Sequence, residues 1–404
     1  MKKKILFVIN TLGRAGAENA LIALLNSLDQ TKVQIYLYVC LDQGELIDEI
    51  PEYVTVINKR CCNTSVLSGD GKRKLVKHLF CKIFKHGAVV NNIPYIVSNA
   101  FESVKSGRGL NMEKLLWSTV ADSCERFDIH FDLAVSYIEG ASAYYVDRYV
   151  NADKKAAFIH IDYTSAGYTR KLDRDCFARF DRIFTVSGEV KDSFLKVYPE
   201  CSDRVKVFHN IINIEGIKRK ALEEKVLEPV ITASEGIKLL TVCRLTPQKS
   251  LEVSVGAMKI LVDRGIKASW YCLGDGPERG KLEKEVEQMG LEGKFVFLGA
   301  KTNPYPYYKK SDIYVHATRF EGKSIAIQEA QILGCPVIAS DCSGNREQVV
   351  DGVDGYLCEF SQEGIASAIM KMLDNKQHWD EYTSRAREKV HNDDIELNYL
   401  YELL

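Results

Sequence analysis

Short unbroken apolar runs alternate with helical stretches along the whole chain, and the cycle is completed twice. Such runs are expected of parallel strands covered on both faces by helices, which reduces the choice of fold to open α/β sheets. In the first half the runs are Lys4–Asn10, Val33–Val39, Val54–Ile57, Leu133–Tyr137, Ala156–His160, Ile183–Ser187 and Val205–Phe208. In the second half they are Lys238–Cys243, Ser269–Leu273, Phe295–Leu298, Ile313–His316, Pro336–Ser340 and Tyr356–Cys358. Helices are predicted over Glu18–Leu28, Leu251–Arg264, Arg279–Met289, Ile325–Leu333 and Arg346–Val350. A length of 404 residues suits two such doubly wound units. The seam is expected between Asn210 and Ile237, a charged stretch without a strand, giving domains 1–212 and 213–384. The polar-rich C-terminal helix, about residues 385–404, carries Leu397, Tyr399, Leu400, Leu403 and Leu404 and is expected to pack back on the first domain.

Composition excludes several classes. A net charge of −1 gives no bulk electrostatic pull toward nucleic acid. Twelve cysteines without a C-x-x-C pair read as buried thiols of a reducing cytosol, not as a disulfide scaffold, zinc site or redox pair. The start Lys2-Lys3-Lys4-Ile5-Leu6-Phe7-Val8-Ile9 is a first strand and not a signal peptide, because no small-residue cleavage site follows. No segment has the length needed to span a membrane.

The segment 59–114 interrupts the alternation with eleven basic residues against three acids. Leu75, Val76, Leu79, Phe80, Ile83 and Phe84 lie among those charges. A basic amphipathic helix suits an anionic membrane surface. The other reading is a solvated helix whose apolar side packs on the sheet.

The chemistry concentrates in Phe320-Glu321-Gly322-Lys323-Ser324-Ile325-Ala326-Ile327-Gln328-Glu329-Ala330. Ser324 reads as an N-cap and Ile325 as the first helical residue. Glu321 and Glu329 thus stand astride a helix start whose first N–H groups can seat a phosphate. A phosphate between two hydroxyl-seeking carboxylates outlines a sugar nucleotide. Arg244 and Lys249 follow the strand Lys238–Cys243, at the carboxyl end where open α/β sheets bind ligands. Two cations and a helix end can hold a diphosphate and stabilise it as a leaving group. Taken alone, they would be surface ion pairs. Gly274 and Gly276, in Gly274-Asp275-Gly276-Pro277, permit close backbone approach to a ligand, and Gly299 closes the next strand. Turn chemistry alone also explains that tetrapeptide. Gly16, in Gly13-Arg14-Ala15-Gly16-Ala17-Glu18, opens the first helix as a second anion-facing loop. A dinucleotide fingerprint with Asp42 on the ribose ranks low there, because the G-x-G is absent. His160 ends a strand, either as a structural hydrogen-bonding residue or as a site residue. Asp173-Arg174-Asp175 reads as solvated surface.

These residues resemble the retaining family-4 glycosyltransferases of the GT-B fold, in which two Rossmann-like domains face a central cleft. The similarity covers nearly the whole chain. It is most specific in Glu321–Glu329 followed by Gly334-Cys335-Pro336-Val337-Ile338-Ala339, with Arg244, Lys249 and Gly274-Asp275-Gly276-Pro277 in the expected order. Cys243 departs from the glycine frequent before that arginine.

The resemblance implies an acceptor-binding N-terminal domain and a donor-binding C-terminal one. Arg244 and Lys249 would grip the diphosphate, Glu329 the ribose, and Glu321 hydroxyls of the transferred sugar. Gly16 would offer its N–H near the diphosphate, His160 would line the sugar pocket, and Lys323 would contact donor or acceptor. The donor implied is a nucleotide sugar, most commonly a UDP-sugar. The acceptor implied is a saccharide or lipid-linked saccharide used in surface-polysaccharide synthesis. No cofactor or metal is implied. The expected location is the cytoplasm, and the basic segment 59–114 leans toward the inner face of the plasma membrane. The rivals are a sugar-nucleotide-binding protein without turnover and a sugar-nucleotide epimerase of similar architecture.

Overall fold

The computed structural model describes residues 2–64, 69–84, 88–105, 112–390 and 394–404. It separates into two compact units, Met1–Ile212 with Asp393–Leu404, and Asn213–Asn392.

The first unit holds a parallel sheet with, among the described residues, seven strands: β1 (Lys3–Ile9), β2 (Val33–Val39), β3 (Thr55–Val56), β4 (Phe131–Ser136), β5 (Ala152–Ile159), β6 (Arg182–Thr185) and β7 (Val205–Val207). Their order is β3-β2-β1-β4-β5-β6-β7, which reverses direction between β1 and β4. Ile5 to Ile9 are all buried, as a central strand covered on both faces requires. The second unit repeats the plan with β8 (Ile237–Val242), β9 (Ala268–Leu273), β10 (Phe295–Gly299), β11 (Ile313–His316), β12 (Val337–Ser340) and β13 (Tyr356–Cys358). The order there is β10-β9-β8-β11-β12-β13, with the switch point between β8 and β11. Both sheets are α/β and doubly wound, as the apolar runs predicted.

Several expectations need correction or refinement. The helix predicted over Arg346–Val350 is instead a single turn, Ser343–Arg346. The chain leaves it because Gln348 turns inward to bond the backbone of Ser324 on both sides: Ser324 N donates to its Oε1 (2.7 Å), and its Nε2 donates to the Ser324 carbonyl (2.8 Å). Asp173 is not solvated. It is 1 % exposed. It accepts hydrogen bonds from the hydroxyls of Tyr144 (2.7 Å) and Tyr163. Burial pushes its pKa up to about 7. The seam segment folds into helices Ile214–Lys220 and Pro229–Thr232.

At the C-terminus, the helix Trp379–Glu388 stays with the second unit, where Tyr382 and Ala386 are buried. The return to the first unit starts at Asp393 and not at residue 385. The helix Asp394–Tyr401 is fastened there by buried Leu400, by Asp29 N donating to the Tyr401 hydroxyl (2.8 Å), and by Glu396 beside His209.

In the basic segment the described helices are Gly69–Phe84, Ala88–Lys105 and Met112–Ser123. Lys85 and Arg108 lie outside the described residues. Among the described residues no helix is long and apolar enough to cross a membrane.

Candidate active site

The loops at the carboxyl ends of β8 and β11 are bonded to each other at several points. Gln248 Nε2 donates to the Phe320 carbonyl (2.8 Å), and Arg319 N donates to the Gln248 carbonyl (3.1 Å). This splice brings the loop after β8 against the loop after β11 and sets Lys249 on Glu321 as an ion pair. Both side chains are largely buried, at 13 % and 17 % exposed, so solvent screens the pair weakly. Glu321 also faces His316, the last residue of β11, with Nε2 3.3 Å from Oε2. On the other side of the imidazole, Nδ1 lies 3.0 Å from the Tyr314 hydroxyl. The ionised carboxylate can only accept, which places the ring proton on Nε2 and leaves Nδ1 as the acceptor facing the phenol. Burial, and then the Lys249 charge, lower the His316 pKa and keep the ring neutral. Despite burial, the Lys249 ammonium and His316 hold Glu321 well below the usual carboxylate range.

Glu329 sits inside the helix Ile325–Leu333, 7 % exposed, and accepts from the Tyr308 hydroxyl at 3.0 Å. Burial pushes its pKa up to about 7. The rings of Tyr308 and Tyr314 stand 5.2 Å apart, so the two carboxylates flank one tyrosine pair. One glutamate is ionised by its cation, whereas the other titrates near neutrality. Separating two acids in this way is how one pocket assigns them different tasks.

Arg244 is exposed and makes no ion pair among the described residues. Its charge, with those of Lys249 and Glu321, reaches the Cys243 thiol. Ser324 takes the N-cap position before Ile325, but its side chain makes no cap bond, because Gln348 holds the backbone there. Lys323 is half-buried in the preceding loop.

The glycines approach protein, not open space. A Cβ on Gly274 (φ +134°) would overlap the Cys243 carbonyl, and one on Gly276 would overlap that of Leu245. Gly274 N donates to the Gly299 carbonyl (2.9 Å), and Leu245 N to that of Asp275 (3.0 Å). These three residues therefore fix the course of the loop that carries Arg244 and Lys249.

His160 and Gly16 belong to the first unit. Gly16 opens the helix Gly16–Ser27. His160 follows β5, its ring 5.1 Å from that of Tyr137. Burial pulls its pKa down to about 4, so the ring is neutral near pH 7. It bonds the Tyr137 carbonyl, while its Nε2 is buried without a hydrogen-bond partner. Its backbone N donates to Glu139 Oε2 (3.1 Å), a carboxyl 8 % exposed with a pKa raised by burial.

His316, Tyr314, Tyr308, Gln348 and Glu139 were missed from sequence. His316 ends a strand and Glu139 lies just past the end of β4, so the rule that ligands gather at carboxyl ends could have flagged both. The tyrosines and Gln348 carry no local signal, since only folding sets them beside the motif. Among the described residues no group of three or more His, Cys, Asp or Glu side chains is placed to hold a metal ion.

The two parallel sheets place the chain in the class of two-domain GT-B proteins with Rossmann-like units. Anabaena Alr3699/HepE, solved in complex with UDP, superposes with a TM-score of 0.65 at 17 % identity, covering 96 % of this chain and 94 % of that one. Residues 225–389 match the family Glycosyl transferases group 1. Over 167 residues the chain is 28 % identical to the poly(glycerol-phosphate) alpha-glucosyltransferase of Bacillus subtilis, covering 40 % of this chain and 25 % of that one. Over 190 residues it is 28 % identical to the N-acetylgalactosamine-N,N'-diacetylbacillosaminyl-diphospho-undecaprenol 4-alpha-N-acetylgalactosaminyltransferase of Campylobacter jejuni, covering 46 % and 49 %. The chain thus spans a quarter to a half of the length of these curated relatives.

Proposed function

We propose that the protein is a retaining glycosyltransferase. It moves a sugar from a nucleoside diphosphate sugar, in the first instance a UDP-sugar, to a saccharide or lipid-linked saccharide in surface-polysaccharide synthesis. The observation that carries this reading is the cluster Lys249–Glu321–His316 beside Arg244 and the start of the helix Ile325–Leu333, within the segment that matches Glycosyl transferases group 1. The UDP complex of the HepE structure and the glycosyl-transfer names of the Bacillus and Campylobacter relatives support it.

In this reading Arg244, Lys249 and the helix N-terminus receive the diphosphate, and the charge that grows on it as the glycosidic bond breaks is met by fixed cations. Those cations make the transfer independent of a metal ion. Glu321, held ionised and oriented by His316, accepts hydrogen bonds from hydroxyls of the sugar. Glu329 accepts from the ribose diol. In the first unit the free Nε2 lone pair of His160 is suited to accept from a sugar hydroxyl, a role for a neutral ring and not for a general acid. The acceptor binds that unit at the carboxyl ends of β4 and β5, where Glu139 and His160 meet. The α-linkages named in both relatives support retention.

Two results test this. A thermal-shift panel of nucleotide sugars is expected to single out one donor base, since a tight donor stabilises the fold by mass action. Release of free nucleoside diphosphate is then expected only with acceptor present. Conversion of donor alone would identify an epimerase, and binding without any release a protein that does not turn donor over. Arg244→Ala is expected to lower transfer at least about tenfold, roughly 1.4 kcal/mol. Near-wild-type turnover would remove Arg244 from the site.

The pH dependence of donor binding follows from Glu329. Its folded pKa is raised, so the folded state holds this proton more tightly than the unfolded one. The stability contribution of the neutral form is complete below about pH 4.5 and is lost as pH rises to about 7. Binding a ribose diol has the opposite preference, because two O–H donors need the ionised carboxylate. Affinity for a nucleotide sugar is therefore expected to weaken roughly tenfold from pH 8 to pH 6. Glu329→Gln is expected to flatten that profile in titration calorimetry. An unchanged profile in the variant would separate Glu329 from the ribose.

A further inference from the structure

Half of the large apolar residues most exposed in the described structure lie on two consecutive helices of the first unit. They are Val76 (53 %) and Phe80 (59 %) on Gly69–Phe84, and Val90 (68 %), Ile93 (48 %), Val97 (61 %) and Phe101 (73 %) on Ala88–Lys105. The second set is not scattered. At 100° per residue, Val90, Ile93, Val97 and Phe101 fall within an arc of about 80°, a single ridge some 16 Å long. Exposed Pro94 lies along it.

The opposite side of the same helix is fastened to the protein. Asn92 is fully buried and donates to Asp122 Oδ2 (2.6 Å), and the Tyr95 hydroxyl donates to the Leu172 carbonyl (2.6 Å). The ridge is therefore held outward by a tethered inner face. Soluble surfaces seldom concentrate apolar side chains in this way without something to cover them.

The neighbouring helix indicates what covers it. Sequence reading placed one apolar face on Gly69–Phe84, but folding divides those residues. Leu75 and Leu79 turn to the core, whereas Val76 and Phe80 turn out beside exposed Arg73 and Lys77. The segment 59–114 carries eleven basic residues and three acids in a chain of net charge −1. An uncharged protein surface would satisfy the ridge alone. An apolar ridge beside a one-sided positive field matches an anionic lipid surface, with acyl chains for the ridge and headgroups for the cations.

We infer that the helix Ala88–Lys105 lies in the interfacial plane of an anionic bilayer, its Val90–Ile93–Val97–Phe101 ridge inserted and Arg73 and Lys77 on the headgroups. This goes beyond the assignment of the donor site and does not depend on it. It would bring the protein to the surface where a lipid-linked substrate is found.

The test is vesicle flotation of the full chain, with equimolar phosphatidylglycerol and phosphatidylcholine against phosphatidylcholine alone. The wild-type protein is expected to float with the anionic vesicles, with at least roughly tenfold weaker binding to the zwitterionic ones, since each cation near the surface strengthens binding several-fold. Val97→Asp with Phe101→Asp, and separately Arg73→Glu with Lys77→Glu, are each expected to lower the bound fraction at least roughly tenfold at unchanged melting temperature. All four residues are exposed, so the fold should tolerate the changes. Absence of flotation by the wild type would overturn the inference, as would binding retained in both variants. So would a concentration-dependent dimer, seen by sedimentation and abolished by the aspartates, because a second copy would then cover the ridge. Nucleotide-sugar binding, measured on the same preparations, separates failure here from failure of the donor site.

Discussion

Glu321→Gln is expected to lower transfer by at least about a hundredfold, equivalent to roughly 2.7 kcal/mol in the barrier. The substitution keeps the shape and removes one charge. In the native pocket that charge neutralises Lys249 and receives the Nε2–H of His316. Without it the Lys249 ammonium, 13 % exposed, is left beside a neutral amide, and breaking a buried pair from one side is costly because the other charge stays behind. In the proposed function two roles are lost together: the acceptor for sugar hydroxyls, and the restraint that would set Lys249 for a diphosphate. The expected signature is therefore a fall in kcat with a smaller change in donor affinity. Double substitution Lys249→Met with Glu321→Gln should recover part of the lost melting temperature but none of the turnover. The linkage sign is that of a depressed acid. The pair stabilises the fold above about pH 4.5, and that contribution is lost as pH falls below it. Turnover of the Gln variant near the wild-type rate would remove Glu321 from the chemistry.

The second large effect is expected from Gly274→Ala. At φ +134° an L-residue is strained by on the order of 1–3 kcal/mol. Here the added methyl also overlaps the Cys243 carbonyl, which belongs to backbone and cannot rotate aside. The loop after β8 must therefore move, and Arg244 and Lys249 move with it. A total of about 3 kcal/mol or more would lower the melting temperature by roughly 6–12 °C for a unit of this size. Nucleotide-sugar affinity should fall with it, although the side chain at 274 need touch no ligand. Gly290→Ala is the control: its φ is also positive (+66°), but no atom stands within 4 Å of the added Cβ. It should cost less stability and leave affinity unchanged. Equal effects from the two substitutions would show that strain alone, and not the position of the loop, decides binding.

The sequence by itself determined the α/β class, the two sheets and most strand positions, because continuous burial on two faces demands continuous apolar runs. Ile313–His316 and Tyr356–Cys358 coincide with their strands, and Ile325–Leu333 with its helix. The sequence also placed Arg244, Lys249, Glu321 and Glu329 at carboxyl ends and a helix start, since those positions are local. Tertiary structure alone decided which of them meet. Lys249 and Glu321 are separated by 72 residues along the chain, and only the adjacency of β8 and β11 makes them a pair. Against burial, the Lys249 and His316 partners that folding sets beside it keep Glu321 ionised. Burial, which no local window reports, raises Glu329 toward neutrality. It also hides Asp173, which a charged tripeptide had advertised as surface. On the helix Ala88–Lys105 the sequence supplied an apolar ridge, and only packing of Asn92 and Tyr95 turned that ridge outward.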